Sequence, residues 1–251
     1  MEQAYSQVAL TRGLRFLKVS ASLVLVAPHR DAPRRTATHR VRPRGRTALS
    51  AITHTPVVSI AYHSGYGHTA VVAEAVRAGA AEAGATVHLV KVDEIDDAKW
   101  ELLDASDAIV FGSPTYMGTA SGAFHAFAEA TSKRWFGDTW HDKVAAGFTN
   151  SASKSGDKGH TLQYFQTLAA QHGMSWVNLG LKPGWNSSTA SENDLNRLGF
   201  SSGAAAQSNS DEGADAVHKA DIATAEHLGR RVAEHTRVVI AGRAALAASA
   251  V

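Results

Sequence analysis

The pattern of hydrophobic and polar positions predicts a regular succession of strands and helices from residue 56 onward. Short continuous apolar runs such as VVSIAY are typical of strands buried on both faces. Stretches with apolar residues at helical spacing separate these runs. The predicted strands are 57–62, 86–92, 107–114, 143–150 and 175–180, and the predicted helices are 69–84, 96–106, 119–135, 160–173 and 215–236. A long loop, 181–211, precedes the last helix.

This alternation predicts the α/β fold class, with a doubly wound, five-stranded parallel sheet and helices on both of its faces. Crossovers between parallel strands are right-handed, which leaves few topologies. Ligands of such sheets bind at the carboxyl ends of the strands, where the strand order reverses. We therefore expect the functional residues in the loops that follow the first, third and fourth strands.

The loop after the first strand, SGYGHT, has the residues of an anion-binding turn. Gly65 and Gly67 permit a tight turn in which several N–H groups converge, while Ser64 and Thr69 add hydroxyl groups. The following helix begins at this point, and its dipole favours a phosphate. The loop lacks the lysine of a nucleoside-triphosphate P-loop. GYGHTA also satisfies the G-x-G-x-x-A pattern of a dinucleotide fold, with Asp93 after the second strand, so a Rossmann-type alternative stays open.

The loops after the third and fourth strands complete the predicted site. In GSPTYMG (112–118), Pro114 fixes one backbone angle and Gly118 permits a close approach, while Tyr116 could cover the face of a flat heteroaromatic ring. The segment TNSASKSGDKGH (149–160) is long, small and polar. Loops of that kind in compact domains are usually functional or disordered, so this one could close over a bound ring.

Composition narrows the chemistry that the chain can perform. The 251 residues suffice for one sizeable domain, with 44% hydrophobic and 19% charged residues. Cysteine is absent, which excludes disulfides, thiol nucleophiles and cysteine-ligated clusters. Redox chemistry would therefore require a bound cofactor. The histidines form no H-E-x-x-H motif, so we expect no metal site.

Charge divides the chain into an extension and a domain. Residues 1–55 hold ten Lys or Arg against Glu2 and Asp31, which leaves 15 basic and 21 acidic side chains in the remainder. We expect this extension to be disordered. It is a solvated tail, a targeting segment or an artefact of the gene model, in which case translation begins near Ile52. The domain itself is mildly acidic, so we expect no nucleic-acid partner. No apolar run approaches the roughly 18 residues that a membrane-spanning helix needs, so we expect no membrane partner. We expect the protein to be cytoplasmic.

The loop sequences taken together resemble one known family. YHSGYGHT, FGSPTYMG and GFTNSASKSGDKGHT, with the later LNRLGFSSGAAAQSNSD, resemble the WrbA-like branch of the flavodoxin superfamily, the NAD(P)H:quinone oxidoreductases and NADPH-dependent FMN reductases. The resemblance covers about residues 56–237 and leaves 238–251 as a C-terminal tail. It implies a flavodoxin-like sheet of order 2-1-3-4-5 that binds FMN.

The resemblance also implies roles for individual residues. It implies a phosphate site at Ser64, Tyr66, Gly67, His68 and Thr69, and a ring site at Pro114, Thr115, Tyr116, Met117 and Gly118. The fourth loop would add Thr149, Asn150, Ser151 and its neighbours through Gly156. His172 matches a family histidine that approaches the flavin from a neighbouring subunit, and it could act as a catalytic proton donor. A packing role for His172 at a helix end stays open.

The implied activity is transfer of a hydride from NAD(P)H through FMN to a quinone or similar acceptor, in a homodimer or homotetramer. Tyr116 departs from the family pattern, which commonly has arginine there. The alternative is a flavodoxin that carries single electrons and does not oxidise NAD(P)H. Such carriers are usually strongly acidic around the flavin, whereas the fourth loop of this chain contains Lys154 and Lys158.

Overall fold

The computed structural model describes residues 54–250, so the predictions for residues 1–53 lie outside the described part of the chain. The strands are β1 Val57–Tyr62, β2 Thr86–Lys91, β3 Ala108–Tyr116, β4 Thr119–Ala120, β5 Val144–Ser151, β6 Ser175–Trp176 and β7 Ala204–Gln207. The helices are α1 His68–Glu82, α2 Asp97–Ala105, α3 Gly122–Ala130, α4 Ser132–Phe136, α5 Lys158–Gln171 and α6 Lys219–Ser249. Two short 3-10 helices, Val92–Glu94 and Ala214–Ala216, accompany them.

The main sheet is parallel and has the order β2-β1-β3-β5-β6, which confirms the predicted topology once the short β4 is counted. The first strand has the predicted bounds, and the predicted second, third and fourth strands are present with ends that differ by one or two residues. The strand order reverses between β1 and β3. The loops that follow these two strands therefore lie next to each other at the carboxyl edge.

Alternate residues of the central strands build two cores, one on each face of the sheet. Val58 and Ile60 of β1 pack with α1 and α6, and Ala61 of the same strand packs on the other side with α3 and α5. Successive side chains of a strand point to opposite faces, so near-continuous apolar runs are what a two-sided core requires. Helices on both faces of the sheet are thus confirmed.

The fifth strand position differs from the prediction, because two separate strands share it. Only Ser175–Trp176 of the predicted strand 175–180 pairs with β5, beside Val144 and Ala145. The chain then leaves the sheet and returns as β7, which pairs with the other end of β5. The sequence placed β7 inside the long loop because its run of alanines lacks β-branched residues. Small residues are needed here, since a Cβ on Gly203 would lie 2.3 Å from the carbonyl oxygen of Gly147.

Three helices have ends within two residues of the prediction, and the other two differ by more. The predicted helix 119–135 is interrupted: Thr119–Ala120 forms a small antiparallel hairpin with the end of β3, and α3 and α4 follow, separated at Thr131. The last helix continues from Lys219 to Ser249, through a segment for which the sequence left extension and fraying both open. None of the helices between His54 and Ala250 combines the length and apolar surface that a membrane-spanning segment needs.

Candidate functional site

A cavity of about 810 Å³ opens at the carboxyl edge of the sheet, between the loops that follow β1, β3, β5 and β7. This volume lies within the usual range of roughly 300–1,000 Å³ for small-molecule sites. Its lining includes most of the residues that the sequence predicted for a site: Tyr66, His68, Thr69, Pro114, Thr115, Tyr116, Met117, Gly118, Asn150, Ser151 and Gly156. Ser64, Gly67 and Thr149 lie beside the cavity in the same loops rather than lining it.

The loop after β1 presents a run of free backbone donors. The six consecutive amides from Ser64 to Thr69 donate to no other protein atom within residues 54–250. Gly67 has φ +92° and stands directly before α1, where the helix leaves its first N–H groups unpaired. The Ser64 hydroxyl accepts a hydrogen bond of 3.0 Å from the Ala70 amide and so fixes the turn against the helix. Unpaired amides at a helix N-terminus form an anion-binding cradle.

The loop after β3 carries aromatic and apolar side chains out over the cavity. Met117 (φ +49°) and Gly118 (φ +89°) have left-handed backbone conformations, and the Met117 side chain is fully exposed. Tyr116 lies edge-on to Tyr66, with 6.4 Å between ring centroids. Burial and the neighbouring Tyr66 raise the pKa of Tyr116, so it stays a neutral hydroxyl at physiological pH. A Cβ on Gly65 would lie 3.0 Å from the Tyr116 hydroxyl, so a glycine lets the two loops approach closely.

Buried hydroxyl groups join the loops beneath the cavity. The Thr115 hydroxyl lies 2.8 Å from those of both Thr149 and Thr161. Thr149 donates its own proton to the Ser113 carbonyl oxygen at 2.7 Å. Thr149 must therefore accept from Thr115, which in turn accepts from Thr161. This series of hydrogen bonds fixes the β3 loop, the end of β5 and the first turn of α5 relative to one another.

The loop after β5 is a second source of free backbone donors. The six amides from Ala152 to Asp157 also donate to no other protein atom in the described residues. Asn150 at its start is only 5% exposed, and its side-chain oxygen has no hydrogen-bond partner. The side-chain amide nitrogen of Asn150 donates to the Ser208 hydroxyl at 2.9 Å. Unsatisfied buried polar atoms are rare in native structures, and Asn150 lines the cavity, so its oxygen is available to a ligand.

The sequence missed the fourth side of the cavity. Ser208, Asn209 and Ser210 line it from the loop that follows β7. His68 contacts the same loop through the Glu212 carbonyl oxygen, at 3.0 Å from its Nε2 atom. The small polar run QSNSD was the available signal. It could not be placed at the site without knowing that the preceding alanines form a strand next to β5.

His172 does not line the cavity of its own chain. It follows the carboxyl end of α5, which begins beside the cavity and is 14 residues long, a rise of roughly 20 Å. Its side chain is only 6% exposed, its Nε2 atom lies 2.9 Å from the Thr131 hydroxyl, and its ring centroid lies 4.8 Å from that of Trp140. Burial lowers its pKa. These contacts are those of a packing histidine, and a catalytic role toward a neighbouring subunit stays a prediction.

The geometry suits a ligand that combines an anion with a flat polar ring. The unpaired amides at the start of α1 suit a phosphate-sized anion, aromatic side chains lie at the rim, and the unpaired amides of the loop after β5 suit the polar edge of a ring. A parallel sheet of this order, with such a cavity at the strand-order reversal, defines a protein of the flavodoxin-like class.

Comparison with known proteins gives the family. The family model described as NADPH-dependent FMN reductase matches residues 57–181. The Pseudomonas aeruginosa protein named flavodoxin FldP is 50% identical over 177 residues, which cover 69% of this chain and 93% of that protein. A Caulobacter vibrioides protein named NAD(P)H dehydrogenase (quinone) is 34% identical over 139 residues, 49% of this chain and 70% of its own.

A solved structure gives the same result. The flavodoxin, WrbA-like protein from Agrobacterium tumefaciens is 42% identical, with a TM-score of 0.58, over 73% of this chain and 99% of its own. The chain belongs to the flavodoxin-like family of WrbA-type proteins and NADPH-dependent FMN reductases.

Proposed function

We propose that this protein binds FMN in the cavity at the carboxyl edge and passes electrons from NAD(P)H to a quinone or a similar small acceptor. The observation that carries the proposal is that two loops that line one cavity each have a row of amides, 64–69 and 152–157, with no protein partner within residues 54–250. A Rossmann-type dinucleotide site would use the first row alone and would leave the second unexplained. Names of relatives, NAD(P)H dehydrogenase (quinone) and NADPH-dependent FMN reductase, support the donor and the acceptor class.

Each loop has a part in holding the cofactor. The amides of the β1 loop, with the hydroxyl of Thr69, would bind the phosphate, and residues 114–118 would hold the ring. FMN, when bound, supplies a ring that accepts a hydride and returns two electrons. The unpaired amides of residues 152–157 are dipoles that would stabilise negative charge on the bound ring. The exposed Met117 and Tyr116 leave the rim open to a planar donor or acceptor.

A second candidate function is a flavodoxin that carries single electrons, because the relative named flavodoxin FldP is 50% identical over most of its length. The lysines of the fourth loop argue less strongly against it than the sequence suggested. Of the two, Lys158 is completely buried, and Lys154 is exposed and adds positive charge to the surface. The two functions are distinguished by oxidation of NAD(P)H, which the oxidoreductase catalyses and the single-electron carrier does not.

Titration of the cofactor-free protein with FMN, followed by mixing with NADPH or NADH in the absence of oxygen, tests the proposal. We expect quenching of FMN fluorescence with 1:1 stoichiometry, bleaching of the bound flavin by one nicotinamide, and NAD(P)H oxidation that depends on added quinone. Flavin that binds and is bleached by dithionite but not by either nicotinamide would contradict the enzyme and favour the carrier. Absence of FMN binding would overturn both.

A further inference from the structure

Lys158, the first residue of α5, is a fully buried lysine that the site described above does not use. Its ammonium donates to the carbonyl oxygens of Ser153 and Lys154, at 3.1 Å for the latter. Within the described residues it forms no ion pair with a carboxylate. Burying a charge without an opposite charge is costly, so its hydrogen bonds to the loop are what compensate for it.

We propose that Lys158 is a positioning residue that holds the loop 151–157 in the conformation that binds FMN. The C=O and N–H groups of a trans peptide point in opposite directions. When the Ser153 and Lys154 carbonyls turn toward the ammonium, the amides of Lys154 and Ser155 turn away from it. Those amides belong to the row that has no protein partner within residues 54–250, and their neighbours Ser153 and Gly156 line the cavity. Lys158 thus acts through the backbone and does not touch the cofactor. The inference rests on the proposed FMN site.

Other groups hold the same loop from outside and set the charge around Lys158. Lys154 places its ammonium 5.3 Å from the ring centroid of Trp185. Asp221 of α6 and Arg197 of the segment before β7 face Lys158, and they form a buried pair with each other at 2.8 Å. Burial lowers the pKa of Lys158 to about 8, Asp221 raises it, and Arg197 lowers it. The lysine is therefore charged at neutral pH and loses its charge in mild alkali.

The test compares Lys158→Met, Lys158→Arg and a matched control, Lys219→Met. Lys219 is also the first residue of a helix, but its side chain is exposed and is not the donor to the carbonyls of Ser153 and Lys154. For each protein, the Kd of FMN is measured by fluorescence quenching from pH 7 to 9.5. Tryptic cleavage after Lys154 in the cofactor-free protein at pH 7.5 reports opening of the loop without FMN.

We expect Lys158→Met to bind FMN at least about tenfold more weakly, since two charge-assisted hydrogen bonds are lost, and to be cleaved after Lys154 correspondingly faster. Lys158→Arg keeps a permanent cation and should retain most of the affinity and protection. In the unmutated protein, affinity should fall several-fold as pH rises through about 8. This fall should be absent in Lys158→Arg and Lys158→Met and present in Lys219→Met.

Three results would overturn the inference. The first is that Lys158→Met leaves both the Kd of FMN and the cleavage rate unchanged. The second is that Lys158→Arg and Lys158→Met lose the same FMN affinity while both keep the pH profile of the unmutated protein, which would indicate a packing role. The third is a loop that is equally protected in all the cofactor-free proteins. If the unmutated protein binds no FMN at any pH, the proposed function fails. The cleavage measurement would still decide whether Lys158 holds the loop.

Discussion

Gly67 is the single residue on which the anion-binding turn depends most directly. Its φ of +92° is a conformation that residues with a side chain avoid, and a Cβ there would lie 3.1 Å from the Cβ of Ala214. We expect Gly67→Ala to lower the free energy of unfolding by about 1–3 kcal/mol. Because the amides of the turn must move, FMN affinity should fall by about tenfold or more, a loss of about 1.4 kcal/mol. Denaturant unfolding and FMN titration measure the two effects.

Gly122→Ala is the matched control. Gly122 begins α3, and a Cβ there would have no neighbour within 4 Å. This variant should keep its FMN affinity and its stability to within about 0.5 kcal/mol. Equal FMN affinity in Gly67→Ala and Gly122→Ala would contradict the assignment of the phosphate to this turn.

His172 gives a prediction about pH. Burial lowers its pKa below the ordinary value of 6.5, so the unfolded chain takes up a proton at higher pH than the folded chain does. The stability that neutral His172 contributes is therefore complete above pH 6.5 and is lost as pH falls from 6.5 toward the folded pKa. His172→Gln should be about 1–3 kcal/mol less stable at pH 7.5, because a buried hydrogen bond to Thr131 is disturbed. The difference should narrow at pH 5.

Urea unfolding at the two pH values measures this difference. A gap that stays constant between pH 7.5 and 5 would contradict the buried, neutral state of His172. Quinone reduction per bound FMN should be measured in the same variant. A loss of activity with an altered pH profile would support the catalytic role that the family resemblance implies, and unchanged activity would leave the packing role.

At the scale of elements, two glycines allow α1 and α6 to cross closely. A Cβ on Gly79 would lie 1.8 Å from the Glu226 carbonyl oxygen, and one on Gly229 would lie 2.0 Å from that of Val76. Gly229→Ala must push the helices apart, and we expect it to lower the free energy of unfolding by about 3 kcal/mol. Chemical denaturation monitored by circular dichroism provides the measurement.

Gly242 in the same helix serves as the control. It is exposed and a Cβ there would meet nothing within 4 Å, so Gly242→Ala should leave stability unchanged or raise it by up to about 1 kcal/mol through helix propensity. If Gly229→Ala behaved like Gly242→Ala, the close crossing would be wrong.

Comparison of the predicted with the observed strands and helices shows which elements the sequence predicts and which it does not. The apolar run VVSIAY predicted β1 with its observed bounds, because a strand buried on both faces needs little beyond such a run. The alanine run of β7 could not be identified, because its place in the sheet depends on pairing with β5 and on the close approach of the preceding Gly203 to Gly147, and not on strand propensity. The interruption at Thr131 was missed for a similar reason, since the helical spacing of apolar residues continues across it.

At the scale of the whole molecule, residues 54–250 contain two hydrophobic cores and the residues described above that line the cavity. We therefore expect a chain that begins at His54 to bind FMN with a Kd within about twofold of the full chain, a difference below 0.5 kcal/mol. Because ten of the basic residues are removed, it should bind an anion exchanger at pH 8, whereas the full chain, with a pI near 8.9, should not. Loss of FMN affinity on truncation would contradict this.

The sequence by itself determined the alternation of strands and helices, the parallel sheet and the three loops that meet at its carboxyl edge. These follow from local signals: apolar periodicity, glycines and small polar residues directly after strands. Only the tertiary structure decided that Ser208–Ser210 complete the cavity, that Lys158 lies buried beneath a loop and that His172 packs against Trp140. Each of these depends on contacts between residues far apart in the chain. A lysine or a histidine has the same local pattern whether it ends in solvent or in the core, so only the folded arrangement distinguishes the two.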